Sequence, residues 1–139
     1  RWDSLGEFLA LAESLRMIEQ KNPNAELAAV TAALDIANQG YLDNNKAPGR
    51  KCGEPDNKAS HFFVAQYWAR ALANSNNAAL AAKFAPVANA LEANEAKIME
   101  LLSVSGKAQD IGGYFHPNDA KAEAAMRPSA TLNAIIDNI

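Results

Sequence analysis

Cysteine, histidine and long apolar runs are scarce in this 139-residue chain, and each scarcity excludes a class of protein. The single cysteine, Cys52, cannot form an internal disulfide, which is typical of a reducing compartment such as the cytoplasm. No run of about 18 apolar residues exists, so the sequence predicts no membrane span. The formal net charge of −3 leaves no basic excess to displace counterions, which argues against a general nucleic-acid binder.

Recognisable catalytic constellations are also missing from the sequence. The two histidines, His61 and His116, lie in different segments without metal-ligand spacing, and no cysteine cluster accompanies them. We expect His116 to be packed or exposed rather than part of a site. Cys52 alone does not indicate a nucleophile, since a lone cysteine is more often inert. No Ser-His-Asp order or P-loop can be assembled, so we assign no catalytic and no metal-binding residue to this chain.

Alanine, in contrast, is abundant, and apolar residues recur at the spacing typical of helices. No strand pattern persists, and residues 110–115 form the only plausible extended piece. We therefore predict a mostly α-helical fold, an irregular bundle of about five or six helices. The helix at 60–74 should lie at the centre, because apolar residues cover most of its circumference. Phe62 and Trp68 are its predicted core anchors.

Capping side chains and prolines set the predicted helix starts. A hydroxyl or amide side chain can accept hydrogen bonds from the free N–H groups of the first turn, and proline tolerates the first helical position. The starts predicted in this way are Ser4 with Glu7 in a capping box, Asn22 with Pro23, Ser60, Pro117 and Pro128. Pro86 lies inside the fourth segment, 77–103, and should kink it or split it into two helices.

A long charged loop interrupts the helical pattern at residues 44–59. Loops longer than about 12 residues in compact domains are usually functional or disordered. Donors on a loop shaped by glycine and proline suit an oxyanion such as a phosphate, for which arginine provides a planar fork. The other interpretation is a solvated, mobile surface loop. The donors are Asn44, Asn45, Lys46, Arg50, Lys51, Asn57 and Lys58.

A second set of polar residues lies at the start of the chain. Arg1 immediately precedes the first predicted helix, whose free N–H groups and dipole favour an anion. Asp3 suits a sugar hydroxyl better than a phosphate, because its carboxylate would repel the phosphate.

Four blocks of sequence are long and specific enough to resemble a known family. They are RWDSLGEFLALA at 1–12, LDNNKAPGRKCGEPDNKASHFFVAQYWA at 42–69, FAPVANALEANEAKI at 84–98 and DIGGYFHPNDAKAEAAMRPSATLN at 110–133. Together they resemble the C-terminal part of the monomeric-type NADP-dependent isocitrate dehydrogenases, which are several times longer and have two domains. The resemblance implies that residues 1–139 are a single helical segment of the larger α/β domain, on the cofactor side of the cleft.

The resemblance also implies a role in cofactor binding. The family oxidatively decarboxylates isocitrate to 2-oxoglutarate with NADP and Mg²⁺ or Mn²⁺. Arg50 matches the arginine that contacts the 2′-phosphate of NADP, while Arg1, Trp2 and Asp3 match further cofactor-contacting positions. The metal ligands, the isocitrate-binding groups and the catalytic acid and base lie upstream in the family. We therefore expect the chain alone to be inactive and the rest of the same polypeptide to be its partner.

A second class of function stays open at this point. The chain could be a helical protein–protein interaction module without a ligand, whose basic loop meets an acidic partner. Self-association is expected if the chain is an excised segment, because helices that evolved to cover a larger domain leave apolar surface exposed when they stand alone.

Overall fold

The computed structural model describes residues 3–139, and over this range the chain forms seven α-helices and no strand. The mostly helical prediction is confirmed, with slightly more helices than the five or six expected. The predictions for Arg1 and Trp2 lie outside the described residues. The helices are α1 (Leu5–Lys21), α2 (Ala25–Asp43), α3 (Asn57–Ala73), α4 (Ala78–Ala93), α5 (Glu95–Leu102), α6 (Asp119–Met126) and α7 (Ala130–Ile136).

Helix α3 lies at the centre, as predicted, because it is buried on nearly every side and contributes side chains to three buried clusters. The first cluster joins α3 to α4 and α5, the second joins it to α1 and α2, and the third joins it to α2 and α4. Buried members of these clusters are Phe62, Leu91, Ile98 and Leu102 in the first, Phe8, Leu34, Tyr41 and Val64 in the second, and Ala33, Leu72 and Leu80 in the third.

Only one of the two predicted core anchors is fully buried. Phe62 keeps 2% of its surface exposed and packs edge-to-face on Phe63, with ring centroids 5.3 Å apart. Trp68 is half-buried, and its indole Nε1–H donates to the Val30 carbonyl oxygen over 3.0 Å. The indole therefore bridges α2 and α3 at the edge of the core, where its polar N–H finds a partner.

The starts of the first two helices differ from the prediction. The Ser4 side chain makes no capping hydrogen bond; instead, the Leu5 N–H donates to Asp3 Oδ1 over 3.1 Å. Asn24, rather than Asn22, caps α2, because its extended backbone brings Oδ1 within 2.8 Å of the Glu26 N–H nitrogen. Pro23 accordingly precedes the cap instead of occupying the first helical position.

The later helices also start at polar side chains other than those predicted. Asp56, rather than Ser60, caps α3, because its carboxylate accepts from the Lys58 and Ala59 N–H groups at 2.8 and 3.2 Å. The Ser60 hydroxyl lies in the first turn and donates to the Asn57 carbonyl oxygen. Two prolines predicted as helix starts lie one residue before the actual caps, which are Asn118 for α6 and Ser129 for α7.

Pro86 does not split the fourth segment. Helix α4 runs through it unbroken from Ala78 to Ala93, and the break falls at Asn94. The backbone N–H and the side-chain amide of Asn94 both donate to the Ala90 carbonyl oxygen, which ends α4, and α5 begins at the next residue. Residues 110–115, predicted as a possible extended piece, form no strand; Gly112 and Gly113 turn the chain there with positive φ.

None of the helices in residues 3–139 is both long and apolar enough to cross a bilayer.

We predict that Phe62→Ala lowers the free energy of unfolding by about 3–5 kcal/mol, because it leaves a cavity where α3, α4 and α5 meet. Phe115→Ala is the matched control, since Phe115 is 86% exposed and its truncation should change stability by less than about 0.5 kcal/mol. Urea unfolding followed by circular dichroism measures both values. Equal effects of the two substitutions would contradict the central position of α3.

Candidate functional site

The charged loop between α2 and α3 folds back on the linker that follows α5. The Gly53 N–H donates to the Ser105 carbonyl oxygen over 2.8 Å, and the Ser105 N–H donates to the Glu54 carbonyl oxygen over 3.1 Å. The Asp56 N–H donates to the Leu102 carbonyl oxygen over 2.9 Å. Main-chain hydrogen bonds between segments about fifty residues apart thus give the loop a defined path.

The four basic residues of the predicted loop, 44–59, fall into two pairs, and one of them, Lys58, lies in the first turn of α3. The Lys46 ammonium lies 4.0 Å from the Phe63 ring centroid in a cation–π contact, and the Lys58 ammonium forms an ion pair with Asp56. Arg50 and Lys51 are exposed, and within residues 3–139 neither side chain has a hydrogen-bond or ion-pair partner. The donors available for an anion are therefore the guanidinium of Arg50 and the ammonium of Lys51.

Glu54 holds the turn from which these two side chains extend. Its Oε2 accepts hydrogen bonds from the Arg50 N–H at 2.8 Å and from the Lys51 N–H at 3.0 Å. The Lys51 N–H, together with the Arg50 N–H and the positive charge of Lys51, holds the pKa of Glu54 below its ordinary value, although partial desolvation opposes the shift. Glu54 therefore stays ionised at neutral pH.

Tyr41, near the end of α2, connects the loop to the start of the chain. Its hydroxyl donates to Asp3 Oδ1 over 3.1 Å, and its carbonyl oxygen accepts from the Lys46 N–H over 3.1 Å. The Tyr41 ring is 1% exposed and packs edge-to-face on Phe8, with centroids 5.6 Å apart. Asp3, one of the predicted cofactor-contacting residues, is thereby fixed beside the beginning of the loop.

Comparison with known proteins decides the family. The family model of monomeric isocitrate dehydrogenase matches residues 1–137. The chain is 50% identical over 141 residues to isocitrate dehydrogenase (NADP) 2 of Psychrobacter sp. (strain 13A), and 50% identical over 138 residues to isocitrate dehydrogenase (NADP) of Azotobacter vinelandii. The alignments cover 100% and 98% of this chain. This chain belongs to the monomeric isocitrate dehydrogenase family.

The chain spans only 19% of the length of each of these relatives. A third relative, isocitrate dehydrogenase (NADP) of Corynebacterium glutamicum, is 50% identical over 139 residues, again with 99% of this chain and 19% of the relative covered. The predicted resemblance to this family is confirmed. The chain matches only a segment of these much longer relatives.

The remaining polar candidates are His61, His116 and Cys52, of which Cys52 lies in the loop itself. His61 packs edge-on against the Phe8 ring, and its Nδ1 donates to the Asn57 carbonyl oxygen over 2.7 Å. His116 and Cys52 are exposed. In the part of the chain that the structure describes, no three His, Cys, Asp or Glu side chains come together in a way that could hold a metal ion.

A groove of about 610 Å³ lies beside the loop, between the start of α3 and α7. Its floor is apolar and includes Phe62, Leu102 and Leu132. The two cations on its rim are already paired, Lys58 with Asp56 and Arg127 with Asp137. The groove therefore offers an apolar surface rather than a second anion site.

Sequence reasoning missed three residues that shape the site: Tyr41, Glu54 and Ser105. The apolar stripe of α2 contains Tyr41 but does not indicate where its hydroxyl donates. Glu54 follows Arg50 by four residues, a spacing at which a carboxylate can reach back to turn N–H groups, so a local signal existed. Ser105 is about fifty residues away and left no signal in the sequence.

We predict that the Arg50 and Lys51 amide resonances titrate with a midpoint below 4.5, the ordinary pKa of a glutamate. Because the pKa of Glu54 is lowered in the folded chain, its contribution to the turn is present above the ordinary value. That contribution is lost as the pH falls through the folded-state pKa. Nuclear magnetic resonance of the 139-residue chain between neutral and acidic pH measures the midpoint. The control is Glu54→Gln, which should abolish this titration; a midpoint at or above 4.5 would contradict the hydrogen-bonded turn.

Proposed function

We propose that this chain forms part of the cofactor site of an NADP-dependent isocitrate dehydrogenase and that Arg50 recognises the 2′-phosphate of NADP. The proposal rests on which cations of this part of the chain already have a partner and which do not. Of the four cations between residues 44 and 59, two are engaged with Phe63 and Asp56, whereas the Arg50 guanidinium extends into solvent from a turn with a defined path. The relatives, whose names specify NADP, support the choice of cofactor.

The chemistry of the guanidinium fits a terminal phosphate. Arginine presents several N–H donors in a rigid plane, so it can donate two hydrogen bonds to two phosphate oxygens at once. A loop already tied to the α5–α6 linker loses little conformational freedom when the phosphate binds. Lys51, the neighbouring exposed cation, adds a second positive charge to the same surface.

The start of the chain supplies the second part of the proposed cofactor site. Asp3 accepts a hydrogen bond from Tyr41, which lies directly before the loop, so a carboxylate suited to a sugar hydroxyl is held near the phosphate-binding loop. We extend the proposal to Arg1 and Trp2, which immediately precede Asp3 in the sequence. NAD lacks the 2′-phosphate, so this surface would favour NADP over NAD.

The complete reaction requires residues beyond this chain. We propose that the longer enzyme decarboxylates isocitrate oxidatively to 2-oxoglutarate in the cytoplasm, with NADP accepting the hydride and Mg²⁺ or Mn²⁺ bound by upstream residues. No cluster of metal-binding side chains occurs in residues 3–139, and the family resemblance implies that the metal and isocitrate are held upstream. The chain alone is accordingly expected to be inactive.

Exposed apolar residues support the rest of the polypeptide as the partner of this segment. Tyr114 and Phe115 are 88% and 86% exposed and contact each other edge-to-face, with centroids 5.3 Å apart. Apolar side chains on the outer surface of α1 are exposed as well: Leu9, Leu11, Met17 and Ile18. Such surfaces favour burial against another part of the protein, and self-association when the segment stands alone.

We predict that Arg50→Ala, in a full-length enzyme carrying this segment, lowers kcat/KM with NADP by about ten- to a hundredfold, the worth of a hydrogen bond to a charged group. The much lower kcat/KM with NAD should stay unchanged, because NAD has no phosphate at that position. Arg50→Lys should recover part of the loss, since the ammonium keeps the charge without the fork. Steady-state kinetics with both cofactors measures the effect.

Arg16→Ala is the matched control for that experiment. Arg16 is an arginine of α1 that is bound to Glu13 and Asp35 at 3.2 Å, so its removal should not change the ratio of the two kcat/KM values. Equal losses with NADP and NAD in the Arg50→Ala enzyme would mean that Arg50 supports the fold or the part of the cofactor that both share. Recognition of the 2′-phosphate by this loop would then be wrong.

A further inference from the structure

We infer that Glu54 is a positioning residue for cofactor discrimination: its carboxylate fixes the turn that presents Arg50 to the 2′-phosphate. The inference rests on the proposed function of Arg50 and adds a second residue, of opposite charge, on which NADP selectivity depends. Glu54 would not touch the cofactor itself.

The hydrogen bonds of the turn show how the positioning works. A single carboxylate oxygen, Oε2, accepts from the consecutive N–H groups of Arg50 and Lys51. Consecutive N–H groups that converge on one point can bind an anion, and here the anion that they bind is the Glu54 side chain. The backbone of the turn is thereby occupied, and its side chains remain as the donors for a phosphate.

Close packing around Glu54 also restricts the conformation of the turn. A Cβ added to Gly49 would lie 2.3 Å from the Glu54 Cβ and 2.5 Å from its Oε2, so the turn closes in this form only with glycine at position 49. The Gly49 N–H donates to the Pro55 carbonyl oxygen over 2.8 Å and draws the two ends of the turn together. Gly49 and Glu54 therefore act as one unit.

The Glu54 backbone is itself held by the body of the fold. Its carbonyl oxygen accepts from the Ser105 N–H, and the preceding Gly53 donates to the Ser105 carbonyl oxygen. The linker that contains Ser105 directly follows α5, whose last residue, Leu102, is 1% exposed in the core. Hydrogen bonds through Glu54 and Ser105 thus connect the Arg50 backbone to the buried core.

The charge of Glu54 makes the inference testable, because electrostatics and positioning predict opposite results. A carboxylate near a phosphate-binding arginine repels the phosphate. If charge alone mattered, removing Glu54 would strengthen NADP binding. If Glu54 positions Arg50, removing it must weaken NADP binding even though a negative charge has been lost.

The experiment uses Glu54→Ala in a full-length enzyme carrying this segment, with kcat/KM measured for NADP and NAD. We expect kcat/KM with NADP to fall about three- to tenfold, because the turn must then be ordered when the phosphate binds, with NAD unchanged. Glu54→Gln should retain most of the selectivity, because its amide oxygen can still accept from the turn. Gly49→Ala should reproduce the selective loss by displacing the Glu54 side chain.

Glu100→Ala is the charge-matched control. Glu100 is exposed on α5 and has no hydrogen-bond or ion-pair partner within residues 3–139, so its removal changes the net charge equally without touching the turn. Hydrogen exchange of the 139-residue chain adds a direct readout. The amides of Arg50 and Lys51 should exchange faster in Glu54→Ala and at the original rate in Glu100→Ala.

A double substitution separates positioning from a general structural role. When Arg50 is already alanine, Glu54→Ala should cause no further loss with NADP, because the residue through which it acts is gone. A further loss of the same size, equal losses with NADP and NAD, or improved use of NADP by Glu54→Ala would overturn the inference. If Arg50→Ala is selective and Glu54→Ala has no effect, this inference fails alone; if Arg50→Ala is not selective, the proposed function fails with it.

Discussion

Burial of α3 on nearly every side is the constraint on which the rest of the structure depends. Its side chains enter all three apolar clusters, so α1, α2, α4 and α5 are each placed by contact with it or with residues that it buries. A helix that buries apolar residues on nearly every side needs other helices packed around it. Surface helices then complete the bundle, and several of their apolar residues stay exposed.

The same constraint fixes the charged loop at its end. The last loop residue, Asp56, caps α3 with its carboxylate while its N–H donates to Leu102, so the loop enters the core helix at a defined place. At the other end, Tyr41 is buried against Phe8 and accepts from the Lys46 N–H. Between these anchors the opposite charges have different roles, since Asp56 and Glu54 organise backbone N–H groups whereas Arg50 faces solvent.

Much of this organisation could be predicted from the sequence. The remainder could not, because it depends on contacts between distant parts of the chain. Periodicity located the helices and the central place of α3, because that signal is repeated over many residues. The helix caps were harder to predict, because several residues near each start have suitable side chains: Asn22 and Asn24 for α2, Asp56 and Ser60 for α3. The backbone conformation that selects among them depends on tertiary packing. The link between Glu54 and Ser105 joins distant segments, so the order of the loop could not be predicted even though its composition pointed to an anion.

The most direct test of 2′-phosphate recognition is to titrate the isotopically labelled 139-residue chain with NADP and, separately, with NAD. We predict that NADP shifts the amide resonances of residues 49–54, that NAD does not, and that Arg50→Ala abolishes the response. The selectivity should persist at raised salt, which screens unspecific attraction between exposed charges. Equal shifts with both cofactors, or an NADP response that survives Arg50→Ala, would contradict recognition of the phosphate by this loop.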